Sequence, residues 1–379
     1  MKYYLIAGEP SGDLHGANLM RGLLKADPSA EFRFWGGDKM AEAGGKANLV
    51  RHYRQTSFFG LVQVITNLRT ILRQVGECRS DIEAYKPDAV ILIDYPGFNM
   101  KIAQFAHNRG FRVFYYIAPK VWAWKELRVK ALRRFVDRLF IIFPFEQAYF
   151  RSKGIDPVFC GNPLTDAIAQ RRPSLPSPDE FRRTNNLDQR PIVALLAGSR
   201  RAEITDNLPN MVALAAHFPQ YRFVVAGVSW LDRELYDRHL AGSDVAFVCD
   251  RTYELLNIAE AAVVTSGTAT LETALLNIPE MVLFKVPWLY EKLKPYVLKI
   301  PYVSLVNINL GRESVREIIT AQFDLDDARR ELASILQGGS KRQRMLDDFA
   351  QLQRIIGNEG ASDRFAAEMA AELRKTAKQ

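Results

Sequence analysis

Ser266-Gly267-Thr268-Ala269-Thr270-Leu271-Glu272 follows the apolar run Ala261-Ala262-Val263-Val264-Thr265 and leads into Thr273-Ala274-Leu275-Leu276-Asn277. The pattern predicts a buried strand, a tight turn of small residues and a helix. Small residues let backbone N–H groups approach a ligand, and the unpaired donors of a first helical turn form a seat for phosphate. Glu272 comes one helical turn after Thr268 on the same face, so its carboxylate can reach sugar hydroxyls while the turn holds phosphate. The same residues also describe an ordinary strand-to-helix turn, with Ser266 or Thr268 as N-cap and Glu272 as an exposed first-turn acid. The stretch alone leaves both readings open.

Outward from it, the strand–turn–helix theme repeats along the chain. Residues 3–7 read as a strand that enters a helix through Gly8-Glu9-Pro10-Ser11-Gly12-Asp13. Glycines at 8, 12 and 16 make neither a dinucleotide fingerprint nor a G-K-[ST] phosphate loop, which disfavours a nicotinamide oxidoreductase and an NTPase. Ser11 and Gly12 suit a close backbone approach to a ligand, while Ser11 or Asp13 equally suits a helix cap. Residues 88–93 form a buried-strand pattern that ends in Asp94-Tyr95-Pro96-Gly97-Phe98-Asn99. The ligand crevice of an open parallel sheet lies at the carboxyl ends of its strands, so Asp94 stands where a general base is useful, or else bonds local backbone ahead of Pro96. In the second half, the strand 192–196 runs into Ala197-Gly198-Ser199-Arg200-Arg201. Backbone donors at Gly198 and Ser199 with the Arg200 guanidinium suit a pyrophosphate, against the alternative of a solvated helix start. Further strands are expected at 112–117, 138–143, 158–160, 222–226, 245–248 and 281–284. The sum is an α/β chain of two doubly wound, Rossmann-like domains facing a cleft. The expected divisions are 1–172, a proline-rich linker at 173–190, a second domain at 191–340, and C-terminal helices at 341–379 that pack back on the first domain.

With 379 residues, 48% hydrophobic and 25% charged, the chain is long enough for two cores and ordinary for a globular protein. Cys78, Cys160 and Cys249 are scattered, without a C-x-x-C pair, and the five histidines form no metal-binding spacing, so a disulfide framework, a zinc site and an oxidising compartment are not expected. The N-terminal apolar run is too short for a signal peptide, and no stretch reaches the roughly 18 apolar residues of a membrane span. Net charge +8 is compatible with nucleic acid, an anionic membrane or a polyanionic substrate, but no nucleic-acid module is present. Two stretches suit either a buried helix or a membrane interface: the apolar Ser57–Val75 segment with Arg69 and Arg73, and the aromatic, lysine-rich segment 287–299. Asp324-x-Asp326 opens an amphipathic helix, where capping rather than metal binding is expected.

Taken together, Ala7-Gly8-Glu9-Pro10-Ser11-Gly12-Asp13, Ile93-Asp94-Tyr95-Pro96-Gly97-Phe98-Asn99, Pro119-Lys120-Val121-Trp122-Ala123-Trp124, Leu196-Ala197-Gly198-Ser199-Arg200, the 266–272 stretch and Tyr302-Val303-Ser304-Leu305-Val306-Asn307 resemble the lipid-A-disaccharide synthase family. Each is weak alone; in this order, across almost the whole chain, they are specific. The resemblance implies a GT-B architecture and an inverting transfer of diacylglucosamine from its UDP derivative to 2,3-diacylglucosamine 1-phosphate, releasing UDP and leaving a β-1,6 disaccharide. It implies a cytoplasmic enzyme peripheral on the inner face of the inner membrane, and it allows a homodimer that exchanges C-terminal segments. Asp94 matches the family's essential aspartate and is expected to be the base. Arg200, with Gly198 and Ser199, is expected at the pyrophosphate, together with Ser266, Gly267 and Thr268; Glu272 is expected on ribose and Asn307 on the nucleotide. No D-x-D sits at a strand end, so no metal or other cofactor is expected. Ala197 and Val306 replace frequent prolines, Asn162 a frequent histidine and Thr320 a frequent glutamine of the family pattern. The competing readings are another GT-B enzyme of UDP sugars, such as the peptidoglycan glycosyltransferase or a UDP-N-acetylglucosamine epimerase, and, further off, a basic nucleic-acid-binding protein.

Overall fold

The computed structural model describes residues 1–55, 68–122, 128–265, 267–287 and 301–376. Ser266, residues 57–67 of the first interfacial stretch, the Ala123-Trp124 end of the 119–124 motif and residues 288–299 of the second interfacial stretch lie outside them. The chain packs as two units. One comprises Met1–Ala167 and Ile356–Gln379, the other Ile168–Ile355.

The first unit is built on strands β1 (Lys2–Ala7), β2 (Glu31–Gly36), β3 (Leu49–His52), β4 (Ala89–Ile93), β5 (Arg112–Tyr116), β6 (Arg138–Ile141) and β7 (Val158–Phe159). Among the described residues they form one parallel sheet in the order β3-β2-β1-β4-β5-β6-β7. Both faces are covered, which is why β1 and β4 read as unbroken apolar runs. Along β1, Tyr3, Leu5 and Ala7 enter one core with Phe34 and Met20, while Tyr4 and Ile6 enter the other with Val75, Cys78 and Ile82. The alternation is the period-two geometry of a strand.

The helix Ala361–Thr376 completes the first of these cores through Phe365, Ala366, Met369 and Leu373. It lies against the helix Pro10–Ala26, where Gly22 is required: a Cβ there would come within 2.9 Å of the Ala366 methyl. Its N-terminus is capped from a distance. The Asp166 carboxylate accepts from the backbone N–H of Gly360 at 2.6 Å and Ser362 at 2.7 Å, supplying the acceptors that a helix start lacks.

The second unit holds β8 (Ile192–Leu196), β9 (Arg222–Gly227), β10 (Ala246–Cys249), β11 (Ala259–Val264), β12 (Glu280–Lys285) and β13 (Glu317–Thr320), parallel in the order β10-β9-β8-β11-β12-β13. Its packing moves the expected divisions. Residues 173–190 are not an open tether: Phe181 and Leu187 are buried in the core of the second unit with Ile192 and Val224. Of the C-terminal helices, Arg342–Ile356 lies in the second unit, with Met345 against the backbone of Glu280, and only Ala361–Thr376 joins the first.

Glu280 is fully buried at the start of β12, and neither carboxylate oxygen has a partner among the described residues. Burial pushes its carboxyl well above the ordinary range. A raised folded pKa favours the protonated state, so this group leaves stability intact below the unfolded pKa and erodes it as pH rises. Glu280→Met is therefore expected to raise the melting temperature, by roughly 2 kcal/mol of stability near pH 8 and by less near pH 4. Scanning calorimetry at the two pH values checks this; a gain independent of pH would contradict it.

Candidate active site

In the first unit the strands β1, β4 and β5 end in register, with Ala7 beside Ile93 and Ile93 beside Tyr116. The residues that leave the sheet there are strained. Asp94, Tyr95 and Ile117 have φ of 44°, 46° and 63°, a region that non-glycine residues rarely occupy and a β-branched residue least of all. Such strain persists only where the surroundings enforce it. Here the Asp94 carbonyl accepts from the Tyr115 hydroxyl at 2.6 Å and from Asn99 Nδ2 at 2.8 Å, while its N–H donates to Tyr116 at 3.0 Å. The Tyr95 ring lies over Gly8, where a Cβ would meet it at 2.4 Å. That contact locks the turn after β1 against the turn after β4 and explains why the residue after Ala7 is glycine.

The Asp94 side chain is half-buried. Burial, then the nearby Glu9 carboxylate, push its carboxyl up to about 6, against the opposing charge of Lys120. Lys120 sits in the segment after β5, and that segment is anchored underneath. The Trp122 indole N–H donates to Glu146 Oε1 at 2.9 Å, and Glu146 Oε2 accepts from the Phe143 N–H at 3.2 Å. Glu146 is itself buried, which pushes it up to about 7 against these donors. Neither Glu9, Lys120 nor Glu146 was singled out from the sequence. An acid in the first turn of a helix usually faces water, and nothing local to Phe145-Glu146 says otherwise.

Lys120→Met removes the charge that favours ionised Asp94 and should move the acidic limb of kcat/KM to higher pH; Glu9→Gln should move it lower. Both shifts are read from pH–rate profiles at fixed ionic strength. Movement of both variants in the same direction would contradict the arrangement.

Ser11 and Gly12 lie in the first turn of the helix Pro10–Ala26, Ser11 exposed and Gly12 buried with its Cα toward Ala7. Asp13 does not cap the N-terminus of its own helix. Its carboxylate accepts from Gly37 N–H at 2.6 Å and Met40 N–H at 3.1 Å, capping the helix Asp38–Gly44. Asn162 turns the chain after β7, donating to the Ile142 carbonyl at 3.1 Å.

In the second unit β8 and β11 end side by side, Leu196 beside Val264. Their turns use glycine at positive φ: Gly198 at 107° and Gly267 at 85°. Gly198-Ser199-Arg200 precedes the helix Arg201–Ala215, and the backbone donors of Ser199 and Arg200 are already engaged. Glu203 Oε2 accepts from Ser199 N–H at 3.0 Å and Arg200 N–H at 3.2 Å, and Glu203 Oε1 accepts from the Arg200 guanidinium at 2.6 Å. This is a capping box built around a carboxylate, so an anion arriving at the turn competes with Glu203 for the same donors. Beside it the indole N–H of Trp230, 65% exposed, donates to the Ser199 carbonyl at 3.1 Å.

Across the neighbouring turn, Gly267 and Thr268 begin the helix Thr268–Leu275, with Thr268 exposed. Glu272 is not an exposed first-turn acid. It is largely buried, its Oε1 accepts from the Tyr253 hydroxyl at 2.8 Å, and burial raises its carboxyl.

Asn307 departs from its expected place. Its amide is fully buried and fully used: Nδ2 donates to the Val315 carbonyl at 2.7 Å and Glu317 Oε1 at 2.9 Å, and Oδ1 accepts from Ser314 N–H at 2.8 Å and Val315 N–H at 2.9 Å. It ties the helix Leu305–Leu310 to the start of β13 and has no capacity left for a nucleotide. Thr320 bonds its own turn through Gln322. Asp324 caps the helix Leu325–Ile335, accepting from Asp326 N–H at 2.9 Å and Asp327 N–H at 3.0 Å.

Solved structures share this pair of parallel units. A UDP-GlcNAc 2-epimerase from Neisseria meningitidis, bound to UDP-GlcNAc, matches with a TM-score of 0.70 at 14% identity, covering 98% of this chain and 100% of that one. A sucrose-phosphate synthase from Thermosynechococcus elongatus matches at 0.61 and 14% identity, covering 99% and 100%. The fold is thus that of GT-B enzymes: two parallel α/β units with a helical C-terminus. Within that class, a family model described as lipid-A-disaccharide synthetase matches residues 3–369. The lipid-A-disaccharide synthase of Syntrophus aciditrophicus is 36% identical over 98% of this chain and 97% of its own length, and that of Geobacter sulfurreducens is 34% identical over 96% and 94%. The chain belongs to the lipid-A-disaccharide synthetase family and is a glycosyltransferase.

Proposed function

We propose that the chain transfers 2,3-diacylglucosamine from UDP-2,3-diacylglucosamine to 2,3-diacylglucosamine 1-phosphate. The observation that carries the chemistry is Asp94, a half-buried carboxylate held in a strained turn at the end of β4 and raised to about 6. A base must be ionised at working pH yet basic enough to take a proton, and a value near 6 meets both demands. In this reading Asp94 accepts the proton of the acceptor 6-hydroxyl as that oxygen attacks the anomeric carbon from the face opposite UDP. The carbon–oxygen bond to UDP breaks with inversion, and the product is the β-1,6 disaccharide. Ser11 and Gly12 line the approach after β1. Negative charge builds on the departing diphosphate, where Arg200, the Gly198-Ser199 amides and the donors at Ser266, Gly267 and Thr268 stabilise it. Glu272 holds the ribose hydroxyls. Asn307 acts indirectly, by fixing the segment between Leu305 and Glu317.

The acyl chains call for a membrane surface. No helix of the described residues is long and apolar enough to cross one. On the helix Leu68–Tyr85, Leu72 is 53% exposed between exposed Arg69 and Arg73, a pairing of apolar and cationic groups that suits an anionic lipid interface and supports a peripheral position on the inner face of the inner membrane. A homodimer that exchanged the helix Ala361–Thr376 would repeat between two copies the contacts made here within one.

The test is mass spectrometry of products from synthetic UDP-diacylglucosamine and diacylglucosamine 1-phosphate. A tetraacyl disaccharide phosphate with stoichiometric UDP is expected. UDP release that ignores acylation of the acceptor, or conversion of the donor without any acceptor, would overturn the proposal in favour of another UDP-sugar enzyme.

A further inference from the structure

We infer that Tyr253 is a positioning residue for the nucleotide-sugar donor, holding the Glu272 carboxylate in the one orientation in which it can accept from the ribose hydroxyls. The inference rests on the ribose role of Glu272 proposed above and extends it to a residue outside every motif quoted from the sequence.

A glutamate on a helix turns about three side-chain bonds, and a carboxylate left free to swing recognises a vicinal diol poorly. The Tyr253 hydroxyl removes that freedom by donating to Glu272 Oε1 at 2.8 Å, while Oε2 accepts no hydrogen bond from a described residue. The phenol is restrained in turn. Tyr253 is only 8% exposed, and the Arg171 guanidinium lies 4.2 Å from the ring centroid. Three separate helices, Pro163–Arg171, Thr252–Leu256 and Thr268–Leu275, therefore contribute one side chain each to a single file that ends on the carboxylate. The charge of Arg171 also favours ionised Glu272 against the cost of burial. Such a file would be wasteful as simple core packing, because it buries an acid that an apolar residue could replace. As a support for a hydrogen-bonding carboxylate it follows the rule that a binding group needs its own orienting partner.

Tyr253→Phe removes one oxygen and keeps the ring beneath Arg171, so folding should be preserved and is verified by thermal unfolding. Donor KM should rise about tenfold with kcat within about twofold, the signature of lost uniform binding. The decisive readout is the preference for UDP over 2′-deoxy-UDP as competing inhibitors. It should fall about tenfold in Tyr253→Phe and at least as far in Glu272→Gln. If Glu272→Gln keeps the wild-type preference, the ribose role itself fails. If Glu272→Gln loses it and Tyr253→Phe does not, the positioning role is overturned while the ribose role stands.

Discussion

Asp94→Asn should lower kcat by about 10²- to 10⁴-fold and at the same time raise the melting temperature. Both effects come from the same geometry. Asparagine tolerates the left-handed backbone at this position and keeps the size of the side chain, so the turn after β4 survives, but the amide cannot take the acceptor's proton. The carboxyl is raised from its ordinary 3.8 to about 6, and each pKa unit is worth about 1.4 kcal/mol. Ionised Asp94 therefore costs the folded state on the order of 2 kcal/mol, with some of the shift discounted because the group is only half-buried. The sign follows from the raised value: the cost is absent below the unfolded pKa, grows as pH rises through 6, and is constant above. Thermal unfolding should show the gain at pH 7.5 and little of it at pH 4. A variant with near-normal turnover removes Asp94 from the chemistry, and one equally stabilised at both pH values removes the account of its environment.

Arg200→Ala should lower kcat by about 10²- to 10³-fold, the usual loss when one donor to a developing oxyanion is deleted. Its partner should respond in the opposite direction. The Arg200 side chain is 72% exposed and its ion pair with Glu203 is of the kind worth at most about 1 kcal/mol, so a diphosphate can displace the carboxylate at small cost. Glu203→Gln retains an oxygen to cap the helix and loses the competing charge. UDP should bind it roughly fivefold more tightly, about 1 kcal/mol. Isothermal titration with UDP separates the outcomes: if neither substitution changes affinity or turnover, the diphosphate does not sit at the Gly198-Ser199-Arg200 turn.

The strands were legible because strands of a doubly covered parallel sheet must be apolar on both faces, as Ala89–Ile93 and Ile192–Leu196 are. The divisions between units were not. Pro173, Pro176 and Pro178 dominate the composition of their stretch, yet two apolar anchors a few residues on, Phe181 and Leu187, decide where it packs. Likewise Arg342–Ile356 and Ala361–Thr376 both carry an apolar stripe, and a stripe does not name the sheet it will cover. For the candidate site, the turns themselves could be read from small residues at strand ends, whereas the partners of each charged group could not. Glu203 on the turn amides, Lys120 and Glu9 beside Asp94, and Tyr253 on Glu272 all arise from three-dimensional neighbours. Asn307 was expected on the nucleotide only through the family resemblance, and only the backbone of 314–315 and the Glu317 carboxylate reveal that its hydrogen bonds are spent.

The helix Ala361–Thr376 has a consequence for how the molecule is made. During synthesis, Tyr3, Leu5 and Met20 emerge from the ribosome several hundred residues ahead of Phe365 and Met369, with which they share a core. The second unit, Ile168–Ile355, is contiguous and can finish folding on the nascent chain, while the earlier-made unit keeps an open greasy flank until translation reaches its final turns. The part of the protein born first is the last to close.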